Sequence, residues 1–451
     1  MTGLTRLFGD ALAVRAPALV DPQALGDGSA GTTRSEKVIA AVARARDPRL
    51  LLAAAIVLEI AAIWFVHWID TRGYMDTEIY RLGGRAWLRD YQLYGDDLTP
   101  ETPSGGTLPF IYPPFAAILF SPLAFMTVDQ AILLVAVLSH VAILVTAYSL
   151  ARSSSYLAPR SGLVVLGTAT LMPVITLVEP ARETLNYGQI NLVLMALVCA
   201  DCLLPRTRWP RGLLVGLAGA IKLTPLGFLL FFLLRKDYRA ASICGLTFSS
   251  TVLVGMLAAP HDSADWWLDK MLSTGDSFGT VYAGNLTLRS LLAKQSLEGM
   301  PLDAGWAAGS LVLLVLAVLG MCHALRQRNT ALALVLNAVL VLLVSPISWS
   351  HHWVWAGPTL ALLFAMSLRH RWYGVLLSVV LAELAVLIGP QWYLPYTNDR
   401  ELQWTFPQQI FGNIYTLLGI GFLVAASVAW VRFRPGRAVG SPDSTTHLAR
   451  T

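Results

Sequence analysis

Apolar runs of roughly 16 to 23 residues recur from residue 50 to residue 431, separated by short polar segments. Runs of that length are what an α-helix needs to cross a bilayer. The pattern predicts full spans near 50–68, 129–151, 162–178, 190–204, 239–259, 307–325, 329–345, 353–368, 372–389 and 411–431. Two further apolar stretches are interrupted. Lys222-Leu-Thr-Pro225 breaks the run 211–234 into two half-helices, and Pro122 breaks the run that follows Phe110. Counting Tyr112 to Met126 as a full crossing would reverse the side of every later loop, so this piece is read as re-entrant, which is tolerated where protein buries it. The expected fold is therefore an all-α polytopic membrane protein with about ten full transmembrane helices plus re-entrant half-helices. The short alternating strands of an outer-membrane barrel are absent from the pattern.

Composition strengthens this reading. Hydrophobic residues make up 55 % of the chain and charged residues 14 %, against about 25 % charged in soluble domains. Residues 1–48 hold no long apolar run and end in the basic stretch Arg34 to Arg49, which predicts a mostly disordered, basic cytosolic tail. The transmembrane domain then covers 49–431, and 432–451 form a second cytosolic tail. A net charge of +5 raises the question of nucleic acid, but the basic residues sit in short clusters between apolar runs. That distribution is the positive-inside pattern of a plasma-membrane protein, with both termini cytosolic and no nucleic-acid partner. Of the four cysteines, Cys199 and Cys202 have a C-x-x-C spacing inside an apolar run, with no second C-x-x-C and no nearby His. They read as small apolar filler, so neither a disulfide nor a metal site is expected.

With this topology the unusual polar clusters fall on one side of the membrane, the extracytoplasmic one. The most charged is Ile69 to Trp87, directly after the first span, with Asp70, Asp76, Glu78, Arg72, Arg81 and Arg85. Asp76 and Tyr80 are four residues apart and share one helix face. A carboxylate there suits a general base taking a proton from an attacking hydroxyl; the competing reading is a helix cap or a partner for Arg72 or Arg81. Lys222 sits within an apolar stretch, where a charge needs a partner or an anion. It reads either as a phosphate ligand, helped by Arg182 or Arg289, or as a lysine snorkelling to the interface. His351 and His352 are adjacent and point in different directions on a helix, so they do not form one chelate. One of them touching a phosphate or sugar hydroxyl, and a ring merely packed among Trp349, Trp353 and Trp355, are equally open. No glycine-rich nucleotide loop is visible, so a transferase of this build needs a donor delivered within the membrane, such as a lipid phosphate.

Five motifs in order carry a family likeness: Asp76-x-x-x-Tyr-Arg-x-Gly-Gly-Arg85, Tyr112-Pro-Pro-Phe-Ala116, Asn186-Tyr-Gly-Gln-Ile-Asn191, Ala220-Ile-Lys-Leu-Thr-Pro225 and Ser345-Pro-Ile-Ser-Trp-Ser-His-His-Trp353. Over about residues 50–431 the chain resembles glycosyltransferase family 87, integral-membrane enzymes of the GT-C type. The resemblance implies a mannosyltransferase that takes mannose from polyprenyl monophosphate mannose. The acceptor is a hydroxyl of a phosphatidylinositol mannoside, lipomannan or lipoarabinomannan, and transfer is α-1,2, inverting and without a metal or other cofactor. It implies Asp76 as the catalytic base, with His351 or His352 assisting. Tyr80, Arg81, Tyr112, Arg182, Asn186, Tyr187, Gln189, Asn191, Lys222, Asn285 and Arg289 are the candidate substrate-binding residues. The chain departs from the family pattern at Asn285-Leu-Thr287, where Gln is expected after Asn, and in its long N-terminal tail. Two alternatives stand beside this reading: an arabinofuranosyltransferase using polyprenyl phosphate arabinose, and a transporter or flippase of a polyprenyl-linked sugar. Against transport, the charged motifs gather at one face and no inverted repeat is evident.

Overall fold

A computed structural model describes residues 48–69, 73–94, 109–154, 161–271 and 279–432. Residues 1–47 and 433–451 of the expected tails lie outside the described residues, as do Asp70, Arg72, Asp96, Asp97 and Glu101. Every regular element among the described residues is helical. In chain order they are α1 (Pro48–Trp68), α2 (Met75–Leu88), α3 (Pro114–Phe120), α4 (Val128–Ser153), α5 (Ser161–Leu177) and α6 (Glu179–Tyr187). Then come α7 (Asn191–Leu203), α8 (Leu213–Ile221), α9 (Leu229–Leu234), α10 (Tyr238–Ala258), α11 (Pro260–Asp265) and α12 (Leu288–Ala293). The chain ends with α13 (Gly299–Arg326), α14 (Thr330–Val344), α15 (Ala356–His370), α16 (Tyr373–Ile388), α17 (Phe406–Gly412) and α18 (Ile414–Arg432).

Among the described residues four helices, α1, α4, α10 and α13, are long and apolar enough to cross a membrane, or up to six if each of the bent pairs α5–α6 and α17–α18 is one broken span. The remaining apolar helices sit where the hydropathy pattern puts them but are shorter: α7, α14 and α16 have 13, 15 and 16 residues. The chain is thus a multi-pass membrane protein. Its long helices turn apolar side chains outward: Val57, Ile60, Trp64 and Trp68 on α1 are each more than 60 % exposed, while Ala55, Glu59, Ala62 and Val66 face inward. Such a surface fits hydrocarbon, since a soluble monomer does not present contiguous apolar patches of this extent. At the centre lies α14, with Ala333, Leu334, Val335, Leu336 and Leu343 fully enclosed.

Helix starts follow their local sequence. Thr127 and Gln130 form a reciprocal capping box at α4, and the Asp237 and Asn329 side chains accept from backbone N–H groups at the starts of α10 and α14. The half-helix reading of 211–234 matches the structure. Helix α8 stops at Ile221, Lys222 is extended, and a 3₁₀ turn over Thr224–Phe228 leads into α9. The re-entrant candidate is a short piece, α3 continued by a 3₁₀ turn over Ser121–Phe125, and both pack against α2. Gly84 makes that approach possible. A Cβ there would stand 2.6 Å from the Phe120 carbonyl oxygen, so part of the Gly-Gly motif serves close helix contact.

Candidate functional site

The site is assembled around the start of α2. Tyr74 precedes that helix in the left-handed region (φ 54°), an unusual state for a bulky residue. Its N–H donates to the Asn186 carbonyl at 3.1 Å, and its hydroxyl is hydrogen-bonded to Nδ1 of His67 at 3.1 Å. Asp76 then falls in the first helical turn, where the helix dipole favours a negative charge. The side chain is half-buried. Burial pushes its pKa up to about 7, and the Lys222 charge pulls the other way. A carboxyl group in that range can take a proton from a hydroxyl near neutral pH and release it again.

Gln189 aims this carboxylate. Its Nε2 donates to Asp76 Oδ1 at 2.8 Å. Its Oε1 accepts from the Tyr80 hydroxyl and from Ile190 N, which fixes which end of the amide faces Asp76. The Tyr112 hydroxyl lies within hydrogen-bonding distance of both Tyr80 and Gln189. Gly188 enables the turn. It is left-handed (φ +64°) and closes α6, and its carbonyl accepts from Thr77 Oγ1 at 3.1 Å. The Asn-Tyr-Gly-Gln-Ile-Asn motif is therefore a helix end, a glycine turn and the start of α7, pinned to α2.

On the other side of Tyr112 stands Lys222, its Nζ 6.0 Å from the tyrosine ring centroid. The ammonium donates to Asn191 Oδ1 at 3.1 Å and lies 2.9 Å from His352 Nε2. His352 also makes a hydrogen bond with the Ile347 backbone. Burial, then the Lys222 charge, then His351 hold its pKa well below the usual histidine range, so it is neutral and accepts from the lysine. The two histidines occupy a 3₁₀ helix over Ser350–Trp355 with rings nearly perpendicular (88°). His351 is the more buried; its ring packs against Tyr187, with centroids 5.0 Å apart. Its carbonyl accepts from Thr184 Oγ1 and Asn191 Nδ2.

From the polar end at Asn191, Ser348 and His352, a cavity of about 50 Å³ runs between apolar side chains of α7 and α14, among them Leu194, Val198 and Leu342.

Asp76, Tyr80, Tyr112, Gln189, Asn191, Lys222 and His352 are thus one contiguous network, with Asn186, Tyr187 and His351 beside it. Four other candidates are engaged elsewhere. Arg81 makes a two-pronged contact with Glu78, at 2.7 and 2.6 Å, and Arg182 donates to the Leu387 carbonyl. Arg289 donates to Asp303. Asn285 is buried and accepts from Ser348 N. Thr77 and Thr184 escape the sequence reading, because a hydroxyl bound to a distant carbonyl leaves no periodic or charge signal. Among the described residues, no group of three or more His, Cys, Asp or Glu is placed to hold a metal ion.

Residues 110–346 match the sequence profile of glycosyltransferase family 87. The chain is 34 % identical over 379 residues to the polyprenol-phosphate-mannose-dependent α-(1-2)-phosphatidylinositol mannoside mannosyltransferase of Mycobacterium tuberculosis, covering 81 % of this chain and 87 % of the relative. It is 35 % identical over 397 residues to the protein of the same description from Mycolicibacterium smegmatis, covering 83 % and 89 %. A phosphatidylinositol pentamannoside mannosyltransferase of Mycolicibacterium smegmatis is 31 % identical over 436 residues, covering 90 % and 96 %. No solved structure matches the chain at a significant level. With the profile match spanning more than half its length and relatives of this identity over most of it, the chain belongs to glycosyltransferase family 87.

Proposed function

We propose that the protein transfers mannose from polyprenyl monophosphate mannose to a hydroxyl of a phosphatidylinositol mannoside, forming an α-1,2 linkage with inversion at the anomeric carbon. The observation that carries this reading is the juxtaposition of a carboxylate poised near neutrality and a lysine held by a neutral histidine, bridged by Gln189 and Tyr112. The acceptor oxygen attacks C1 of the mannose and passes its proton to Asp76. The bond from C1 to the phosphate oxygen breaks, its electron pair stays on the phosphate, and polyprenyl phosphate leaves. Lys222, with His352 and Asn191 around it, faces the phosphate and stabilises the charge that grows there, with no metal assigned to the step. The apolar continuation of the cavity beyond His352 suits the start of a prenyl chain. The printed names of the relatives supply the sugar and the acceptor class.

In the same proposal the site faces the extracytoplasmic side, both termini are cytosolic, and the shorter apolar helices complete about ten crossings with their partners. Purified protein in detergent, given each labelled lipid donor with a defined acceptor, tests the function. Mannose but not arabinofuranose is expected to be transferred. Asp76→Asn keeps an acceptor oxygen for Gln189 yet loses basicity, so its rate should fall by about 10²- to 10⁴-fold. Transfer by that variant at the parent rate would sink the base assignment. A transporter would show no transfer in detergent at all.

A further inference from the structure

The proposed transfer uses no group from residues 283–294, yet an amine there is almost wholly enclosed. Lys294 follows α12 and is 1 % exposed. Its Nζ donates to the Asn285 carbonyl oxygen at 2.9 Å and to Asn413 Oδ1 at 3.1 Å, and it lies 5.4 Å from the Trp404 ring centroid. Glu401, equally enclosed, accepts from Ala283 N at 2.8 Å, and Thr416 Oγ1 donates to the Leu286 carbonyl at 2.8 Å. Side chains from three separate segments thus clasp the backbone of residues 283–286. Enclosing an ammonium is costly unless it is hydrogen-bonded, and here the amine's backbone target is a single peptide.

That peptide in turn holds the histidine segment. Asn285 Oδ1 accepts from Ser348 N at 3.2 Å, Leu286 N donates to the Ser348 carbonyl at 3.0 Å, and Asn285 pairs with Trp349 in an antiparallel bridge. Ser348 and Trp349 lead directly into His351 and His352, and His352 meets Lys222. An unbroken path runs from the Lys294 ammonium, through Asn285 and Ser348, to the cationic half of the site.

We propose that Lys294 is a positioning residue for that half: by holding the Asn285 carbonyl it sets the 283–286 segment, and through it the His352–Lys222 contact that receives the donor phosphate. The inference rests on the proposed placement of the phosphate. It is tested on the purified full chain with Lys294→Met, which keeps the length of the side chain and loses the charge, and with the milder Thr416→Val. The readouts are kcat, the KM of polyprenyl phosphate mannose, the KM of the phosphatidylinositol mannoside acceptor, and the Kd of polyprenyl phosphate. Lys294→Met should raise donor KM and polyprenyl phosphate Kd about tenfold, a part of what one lost charge-assisted hydrogen bond contributes, while acceptor KM stays within about twofold; Thr416→Val should shift the donor terms in the same direction by less. A merely structural role would lower kcat with the folded fraction and leave both KM values unmoved, and that result overturns the proposal. Should Lys294→Met fail to fold, unmoved donor KM and Kd in Thr416→Val overturn it instead. A parent protein that transfers nothing but binds polyprenyl phosphate refutes the proposed reaction and leaves the Kd comparison to decide on Lys294. A parent that neither transfers nor binds overturns both.

Discussion

Replacing Gln189 with Leu isolates the tuning of the base, because the leucine side chain fills similar space and keeps no donor for Asp76. In the parent, Nε2 of Gln189 reaches Asp76 Oδ1 at 2.8 Å. A hydrogen bond to a charged group contributes about 1.5–3 kcal/mol net. It favours the ionised carboxylate over the neutral acid, so its loss raises the pKa. At 1.36 kcal/mol per unit the rise is about one to two units. The Asp76 carboxyl starts at about 7, and a base must be ionised to act, so the parent's kcat/KM should climb with pH through about 7 on its acidic limb. In Gln189→Leu that limb should move to roughly pH 8–9. At pH 7 the loss should then be about 5- to 50-fold, shrinking to at most about twofold at pH 9. The assay is initial-rate transfer in detergent at limiting donor across pH 5.5–9.5, a window of about four units that brackets both limbs. A limb that stays at the parent position while the whole curve drops would refute Gln189 as the group that holds the carboxylate ionised. The Leu variant also takes one acceptor from the Tyr80 hydroxyl and one from Ile190 N–H, which keep the Tyr112 and Tyr80 hydroxyls as their remaining partners. That cost falls on stability and is flat in pH over this window, so it does not imitate the predicted shift.

Lys222→Met should weaken polyprenyl phosphate binding and cut transfer by at least about 10²-fold, since one electrostatic donor at a developing charge supplies that much; equal donor KM in parent and variant would remove the lysine from the phosphate side. His352→Phe should cost more than His351→Phe, because only His352 meets Lys222, and the paired kcat/KM values decide the order. Gly84→Ala should lower stability by about 1–3 kcal/mol through overpacking, read as a lower unfolding midpoint, since its methyl would stand 2.6 Å from the Phe120 oxygen. For the topology, a cysteine at Arg208 should resist an impermeant outside thiol reagent whereas one at Glu183 should react; the reverse would invert the proposed orientation.

Much of the fold is legible in the sequence because hydrocarbon leaves few choices. Backbone groups must be satisfied within a segment, so an apolar run of sufficient length is a helix wherever it falls. Break points were readable too, since Pro225 beside Lys222 and Pro122 cannot continue a helix unhindered. Helix length was less legible. Hydropathy does not separate a full crossing from a 13-residue helix such as α7, whose sides are covered by protein rather than lipid. Within the site, charge in an apolar setting exposed Lys222, whereas Asp76, one of three acids in a charged stretch, was singled out by the family likeness. The amide, hydroxyl and carbonyl partners of those charges were not separable into roles, because Gln189 and Asn285 look alike in a sequence. The structure gives the first to the carboxylate and the second to a neighbouring backbone. Lys294 gave no signal at all, since a lysine in a polar loop reads as solvated until the chains that cover it are in place.

The separation between Asp76 and Lys222 gives the site its chemical sense. The lysine is engaged by Asn191 and His352, and the carboxylate by Gln189. A direct ion pair at 4 Å would be worth about 4 kcal/mol at an effective dielectric constant of 20, equivalent to about three pKa units. Such a pair would hold the carboxylate ionised and deprive it of basicity, and it would occupy the ammonium that the phosphate needs. Neutral spacers between the two weaken that interaction without abolishing it, since the Lys222 charge still pulls the Asp76 pKa down. Gln189 and Tyr112 transmit position without carrying charge, so burial outweighs the Lys222 charge and raises the Asp76 pKa to about 7. The same logic explains why His352 is neutral: a protonated ring would repel Lys222 and could not accept its hydrogen bond. Substituting either spacer by a charged residue should therefore be more damaging than deleting it, even where the volume is conserved, because it would add a further charge to a site where burial already pushes the Asp76 pKa up and Lys222 already pulls it down.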